Sequence, residues 1–520
     1  MLVKNFLTIS VSTVVLAALS VPAAAQMNMP GMHMPMPAKP KKKAAPKKTA
    51  KKKTAATHVQ HAQTKKAPTP MEGMTMPMEE SGAEPLSQPM PMDHSQHGTM
   101  PMPPQANPGE MPMDHSQMGQ MPMQGMQPGE HAGHEMTMTG SLGPYPMTRE
   151  SSGTAWQPDT SEHSGFHVMS GDWTLMAHGT LNLVYDHQSG PRGDDKAFAS
   201  GMLMGMARRP LGNGTLQFKA MLSPDPIMGK RGYPLLLASG ETANGTDRLI
   251  DRQHPHDLFM ELSASVSQNI GPKSSAFLYV GLPGEPAFGP PAFMHREAIM
   301  DSPEAPISHH WLDSTHISFG VLTAGVALDR VKVEISRFNG REPDQRRWNI
   351  ETGPLDSTSV RLSWNPTNTL ALQGSWGHFE DPEQLEPGVD QKRWSASALW
   401  AKEIAPGWKA AGTLAWGRKS SHGHDDDALA LEASLKHAAW TVFGRGEMTE
   451  NRELTDVEDG PAYRVGKISL GAVRDFELTD HVSLGVGGLF AVNFVPDSLA
   501  PQYGGHNPTG TMGFVRLKLD

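Results

Sequence analysis

From Gly171 onward, apolar and polar residues alternate at every second position instead of following helical spacing. In the first such run Trp173, Leu175, Ala177, Gly179, Leu181, Leu183 and Tyr185 share one face, while Thr174, Met176, His178, Thr180 and Asn182 share the other. An apolar outside and a polar inside are what a lipid-facing barrel strand requires. A soluble sandwich strand can alternate in the same way, so a single strand does not decide between them.

The full set of strands decides better. Sixteen candidates begin near Trp173, Phe198, Thr215, Leu258, Ser275, Thr315, Val331, Ser357, Leu370, Arg393, Lys409, Ala428, Ala439, Arg464, His481 and Thr509. Short connections fall at 209–213, 270–273, near Leu328, at 366–368, 404–407, near His437 and at 477–480. Those between them are mostly longer, notably 224–256, 283–313, 339–355, 381–391, 449–463 and 495–508. Up-and-down membrane barrels alternate in this way, with short periplasmic turns and long outer loops. Trp408 and Trp416 bracket Ala410, Gly412 and Leu414 on one face. At roughly 3.3 Å per residue the two indoles lie about 26 Å apart, which suits aromatic girdles at the two edges of a bilayer. The last strand sets Val515, Leu517 and Leu519 against Arg516 and Lys518. The pattern predicts an all-β fold, an antiparallel up-and-down transmembrane β-barrel of about 16 strands over residues 151–520, in the outer membrane of a Gram-negative-type cell.

Composition changes the picture only before the barrel. Lys4, an apolar run from Phe6 to Leu19 and Ala23-Ala24-Ala25 before Gln26 have the layout of a secretory signal peptide over residues 1–25. Residues 26–150 are then a long N-terminal tail, dominated by Met, Pro, His, Gly, Gln and Lys and expected in the periplasm. With almost nothing apolar to bury, such a segment cannot offset its chain entropy and is expected to stay disordered. The formal net charge of -9 conceals eleven lysines and no acid between Lys39 and Lys66, leaving about -20 on the remainder. That block reads as a solvated spacer or as a patch for anionic headgroups.

Twenty-two of the 35 methionines lie between Met27 and Met147, together with eight histidines. The heptamer Met90-Pro91-Met92-Asp93-His94-Ser95-Gln96 recurs unchanged as Met111-Pro112-Met113-Asp114-His115-Ser116-Gln117, followed by Met118, and His131, His134 and Met136 form a mixed cluster further on. A thioether is a soft, neutral donor that suits Cu(I) or Ag(I), whereas imidazole also accepts Cu(II). The chain has no cysteine, so soft-metal chemistry must come from Met and His. The predicted tail ligands are therefore Met90, Met92, His94, Met111, Met113, His115, Met118, His131, His134 and Met136, with copper ions as cargo and Cu(I) favoured. A passive low-complexity linker is the alternative.

Two long loops hold further candidates. The second ends in Asp251-Arg252-Gln253-His254-Pro255-His256-Asp257. The third contains Met294-His295-Arg296-Glu297, Glu304 and Ser308-His309-His310-Trp311-Leu312-Asp313, with His316 just beyond. If both loops fold into the lumen, His254, His256, His309 and His310 could hold a metal ion or form a polar constriction. Otherwise they satisfy loop hydrogen bonds.

The repeated Met-Pro-Met-Asp-His-Ser tail ahead of a C-terminal barrel resembles the outer-membrane copper-resistance protein B family, over roughly Met27 to Met138. The resemblance implies outer-membrane location and a part in periplasmic copper handling, with periplasmic metal-handling proteins as partners alongside metal ions and outer-membrane lipid. The competing function is a general or substrate-selective porin with an incidental tail, and a homo-trimer is one expected assembly. No nucleophile motif supports an enzyme, and the Lys block lacks the interleaved aromatics of a nucleic-acid surface.

Overall fold

The computed structural model describes residues 138–162, 165–455, 457 and 460–520. The expected signal peptide and the ten predicted ligands of the tail, Met90 to Met136, lie outside the described residues.

The strands are β1 (Phe166–Ser170), β2 (Trp173–Gln188), β3 (Asp195–Leu211), β4 (Gly214–Leu222), β5 (Tyr233–Thr242), β6 (Arg248–Gln253), β7 (Phe259–Gly271), β8 (Ser274–Gly281), β9 (Val321–Leu328) and β10 (Val331–Phe338). They continue with β11 (Ser357–Thr367), β12 (Leu370–Phe379), β13 (Gln391–Ala405), β14 (Trp408–Ser421), β15 (His424–His437), β16 (Trp440–Asn451), β17 (Tyr463–Thr479), β18 (Val482–Phe494) and β19 (Thr509–Leu519). Sixteen of these pair antiparallel with their neighbours in chain order and close when β19 meets β2, Val515 opposite Leu183 and Leu517 opposite Leu181. Closure removes every free sheet edge, the condition for crossing lipid with strands. Of the other three, only β5 and β6 stand apart, since β1 belongs to the same sheet without being one of the sixteen. β1 forms a short hairpin with the start of β2, and β5 and β6 make a separate two-stranded sheet within the connection from β4 to β7.

Alternation assigns the two faces. Along β10, Lys332, Glu334 and Ser336 point inward and are at most 1% exposed, whereas Val333 and Ile335 are more than 50% exposed. Leu183, Leu431 and Leu470 stand outward in the same way on other strands. In water this would be an apolar surface far larger than monomeric soluble proteins tolerate, but against acyl chains it carries no such cost. Seven connections among the sixteen strands are two residues long and lie at one end: 212–213, 272–273, 329–330, 368–369, 406–407, 438–439 and 480–481. This is the turn end. At the opposite, loop end the connections are longer, except for a tight turn at His422 and Gly423, both with positive φ. Asp425, Asp426 and Asp427, which follow this turn, already belong to β15.

One strand starts later than its alternation suggests. The segment around Thr315 was expected to open a strand, but Ser314–His316 is a 3-10 turn and β9 begins at Val321. A bridge between Gly284 and Ser318 keeps the intervening residues in the loop.

The lumen is filled from both ends. At the loop end Leu235, Leu236 and Leu237 of β5, Ile299 and Ile307 of the 282–320 loop, and Leu499 and Tyr503 of the last loop are buried in one apolar cluster with wall residues such as Phe443 and Phe514. At the turn end Leu142, Tyr145 and Trp156 pack on Phe277 and Ala327 of the wall. Arg149 is held there by Asp159 at 2.6 Å, and Asn365 of β11 donates to the Gln157 carbonyl at 2.8 Å.

Candidate functional site

Both long loops fold inward, and in doing so they bring His254, His256, His309 and His310 together with His316. Wall charges fix the path of the 282–320 loop. Arg296 donates to both carboxylate oxygens of Glu432 on β15 at 2.7 Å, and to Asp313 at 2.6 Å. Glu447 of β16 accepts from the backbone N–H and the hydroxyl of Ser308 at 3.1 and 2.7 Å, and Lys467 of β17 pairs with Glu304. The helical turn His309–Leu312 then lies on β14 at Gly417, where a Cβ would stand 2.4 Å from the Trp311 carbonyl oxygen. Only glycine lets the two backbones approach so closely.

The histidine rings form a connected group. His309 lies 5.2 Å from His316 and 5.6 Å from His310, centroid to centroid, and His256 is 5.1 Å from His316. His254 sits 6.0 Å from His309 and 5.6 Å from His310. Each ring is anchored through one nitrogen. His256 Nδ1 meets Asp225 at 2.8 Å, His309 Nδ1 meets Asp313 at 2.8 Å, and His316 Nδ1 meets the Asp313 carbonyl at 2.7 Å. A carbonyl only accepts, so Nδ1 of His316 carries the proton and its Nε2 keeps the lone pair. The Nε2 atoms of His256 and His316 are buried without a hydrogen-bond partner. His254 Nε2 is 3.2 Å from Glu241, close enough for an ion pair but without the angle of a hydrogen bond.

Burial keeps His254, His309 and His316 neutral. Burial, helped by the Arg347 cation and the neighbouring imidazoles, pushes His254 well below the usual histidine range, and burial with His256 and His309 does the same to His316. Burial also lowers His309 against the pull of Asp313. His310 goes the other way, because Glu342 at 3.4 Å outweighs burial and raises it. Asp313 is opposed by burial but held well below the carboxylate range by Arg296 and His309. Among the described residues no group of three or more His, Asp or Glu side chains stands placed to hold a metal ion. The cluster is a hydrogen-bonded polar core in which Nε2 of His256 and Nε2 of His316 have no hydrogen-bond partner, and that of His316 carries a lone pair.

A cavity of about 2150 Å³, its open mouth included, connects this core to the turn end. His254, His256 and Asp225 line one part of it, and the rim residues Lys436, Lys518 and Asp520 another. Between them the wall carries Met176, Met202, Met204 and Met206, with Met294 facing them from the loop. Met202, Met204, Met221 and Met260 also form one buried cluster. Sequence reasoning placed the soft-metal ligands in the tail repeats and not on these methionines. Their signature was nevertheless present in the sequence, since Met176, Met202, Met204 and Met206 occupy inward positions where an aqueous barrel carries polar residues.

Strand closure, the apolar exterior and the loop-filled interior define a membrane-spanning β-barrel of sixteen strands. No family model and no curated protein sequence matches the chain. Solved structures similar to it include OmpF of Salmonella typhi in complex with daunomycin, at 9% identity and TM-score 0.44, covering 68% of this chain and 100% of that one. OprB of Pseudomonas putida gives 9% identity and TM-score 0.42 over 67% and 94% of the two chains. The anion-selective porin from Comamonas acidovorans gives 14% and 0.38 over 67% and 100%. The fold assignment stands on the strand pairing itself.

Proposed function

We propose that this protein is an outer-membrane barrel that handles soft metal ions, copper foremost, taking them from the periplasmic side into its lumen. The observation that carries this reading is the single cavity that joins a methionine-lined wall to His254 and His256. Thioethers and neutral imidazoles are the donor set that Cu(I) and Ag(I) prefer, and imidazole also serves Cu(II). The Met- and His-rich segment before residue 138, and its resemblance to the copper-resistance protein B family, supply the same chemistry on the chain that leads into the turn end. In this reading the arm lies in the periplasm, collects ions there, alone or from periplasmic metal-handling proteins, and presents them to the lumen.

A second reading is a substrate-selective porin, favoured by the sixteen-strand barrel, whose size ordinarily leaves an aqueous channel. The buried loops weigh against a general diffusion pore. Cells that carry the full chain, a deletion of 27–137, or His256→Ala with His316→Ala separate the two. Metal handling predicts that both variants lower copper tolerance while leaving small-solute uptake as it was. Copper tolerance equal to that of the full chain in both variants, with solute uptake falling when the whole protein is removed, would establish the porin instead.

A further inference from the structure

Seven of the fourteen described methionines line this same lumenal cavity. A lumen is where a barrel normally places polar side chains, so the concentration calls for a cause. Strand register shows how they are arranged. On the inner face Met206 of β3 stands directly opposite Met176 of β2, and Met176 in turn is opposite His167 of β1. In the adjoining inward row Met204 is flanked by His178 on β2 and Met221 on β4. Directly opposed residues on one face have Cβ atoms about 4.5–5.5 Å apart, and inward positions two residues apart along a strand are about 7 Å apart. Flexible thioethers reach across such gaps.

We propose that Met176, Met204 and Met206, with His167 and His178 beside them, form a lumenal binding site for a soft monovalent cation, Cu(I) or Ag(I). This rests on the metal-handling reading and gives it a specific site. Three neutral sulfurs and an imidazole satisfy a monovalent soft ion without adding charge, whereas a hard divalent ion would need carboxylates. Two cations border the site: Lys219 opposite Met206 is 3.7 Å from Glu261, which offsets its charge, and Arg208, which acts on His167, donates to the Thr139 carbonyl at 2.7 Å. Packing alone would ask only for volume and apolarity, which leucine supplies equally well.

That difference makes the test. The full chain is labelled with [13C]methyl methionine, held in detergent micelles and titrated with silver nitrate, its resonances assigned by single Met→Leu variants. The methyl signals of Met176, Met204 and Met206 are expected to move together. In Met204→Leu, whose fold is checked by the unchanged remaining methyl spectrum, the other two should require at least about tenfold more silver. The site is overturned if these three methyls stay still while those of residues 27–136 shift, or if Met204→Leu responds as the unsubstituted chain does. The former result would leave the metal-handling reading standing on the arm. Silence from every methionine would remove both.

Discussion

Arg296 and Glu432 form a two-pronged ion pair in the lumen, Nε and Nη2 each 2.7 Å from a carboxylate oxygen, with both side chains at most 1% exposed. Arg296 belongs to the 282–320 loop and Glu432 to the barrel wall, so this pair fastens the loop that carries His309 and His316. Arg445 at 3.2 Å and Asp313 on the far side of Arg296 complete the network. Deleting one partner leaves an uncompensated buried charge, which costs far more than the pair itself contributes. Glu432→Gln should therefore destabilise the protein by about 3–5 kcal/mol, read as a lower urea midpoint in detergent. An unchanged midpoint would mean that the loop is held by other contacts.

The approach of the Trp311 carbonyl to Gly417 leads to a steric prediction. The atoms in the way are backbone, so a methyl group at 417 must displace the His309–Leu312 turn or bend β14. Gly417→Ala should cost about 1–3 kcal/mol and shift the resonances of His309 and His310. Gly446→Ala, where a Cβ meets nothing within 4 Å, is the control and should leave both unchanged.

Glu297 and Glu162 at the cavity rim titrate in opposite directions. Burial, and then the Glu162 charge, raises Glu297 to about 7. Burial works against Glu162, but Lys436 and Lys409 bring it down to about 2. A carboxyl group raised in the fold contributes its full stability below the unfolded value near 4.5 and loses it as pH rises through 7. The lowered Glu162 contributes above 4.5 and fails only towards pH 2. Between pH 5 and 8 the Glu297 effect governs, so Glu297→Gln should gain about 1–2 kcal/mol over the unsubstituted chain at pH 8 and almost nothing at pH 5. Equal midpoints at pH 8 would show that Glu297 is not held in its acid form.

Lipid contact is tested from the outside. Leu431 and Leu414 face outward on neighbouring strands and stand opposite one another. Leu431→Arg should destabilise the barrel by about 2–4 kcal/mol in a bilayer if it lies near the midplane. The same substitution at Val457, exposed in a loop, should have almost no effect.

Most of the barrel was legible because a strand with lipid on one side and a packed interior on the other must alternate. Fifteen of the sixteen expected starts fall within about four residues of the observed ones, the tolerance of single-sequence boundaries. Thr315 missed because an apolar stretch continued through a loop that is itself buried, where alternation no longer distinguishes wall from filling. The β5–β6 hairpin escaped for the same reason, its Leu235-Leu236-Leu237 run being surrounded on all sides. At the site, His254, His256, His309 and His310 were visible as residue types, but only folding of both loops could bring them together. The carboxylates beside them carried no local signal: Asp225 lies 31 residues before His256 and Glu241 13 before His254 in the same connection, and Glu342 lies in another loop.

The loops fill this lumen from both ends and leave no free passage for solutes. Conductance of the full chain in planar bilayers tests it most directly. The account predicts a current at least about tenfold below that of an open sixteen-stranded barrel, rising when residues 286–312 are replaced by a short Gly-Ser linker. A steady open-pore current from the unsubstituted protein would contradict it.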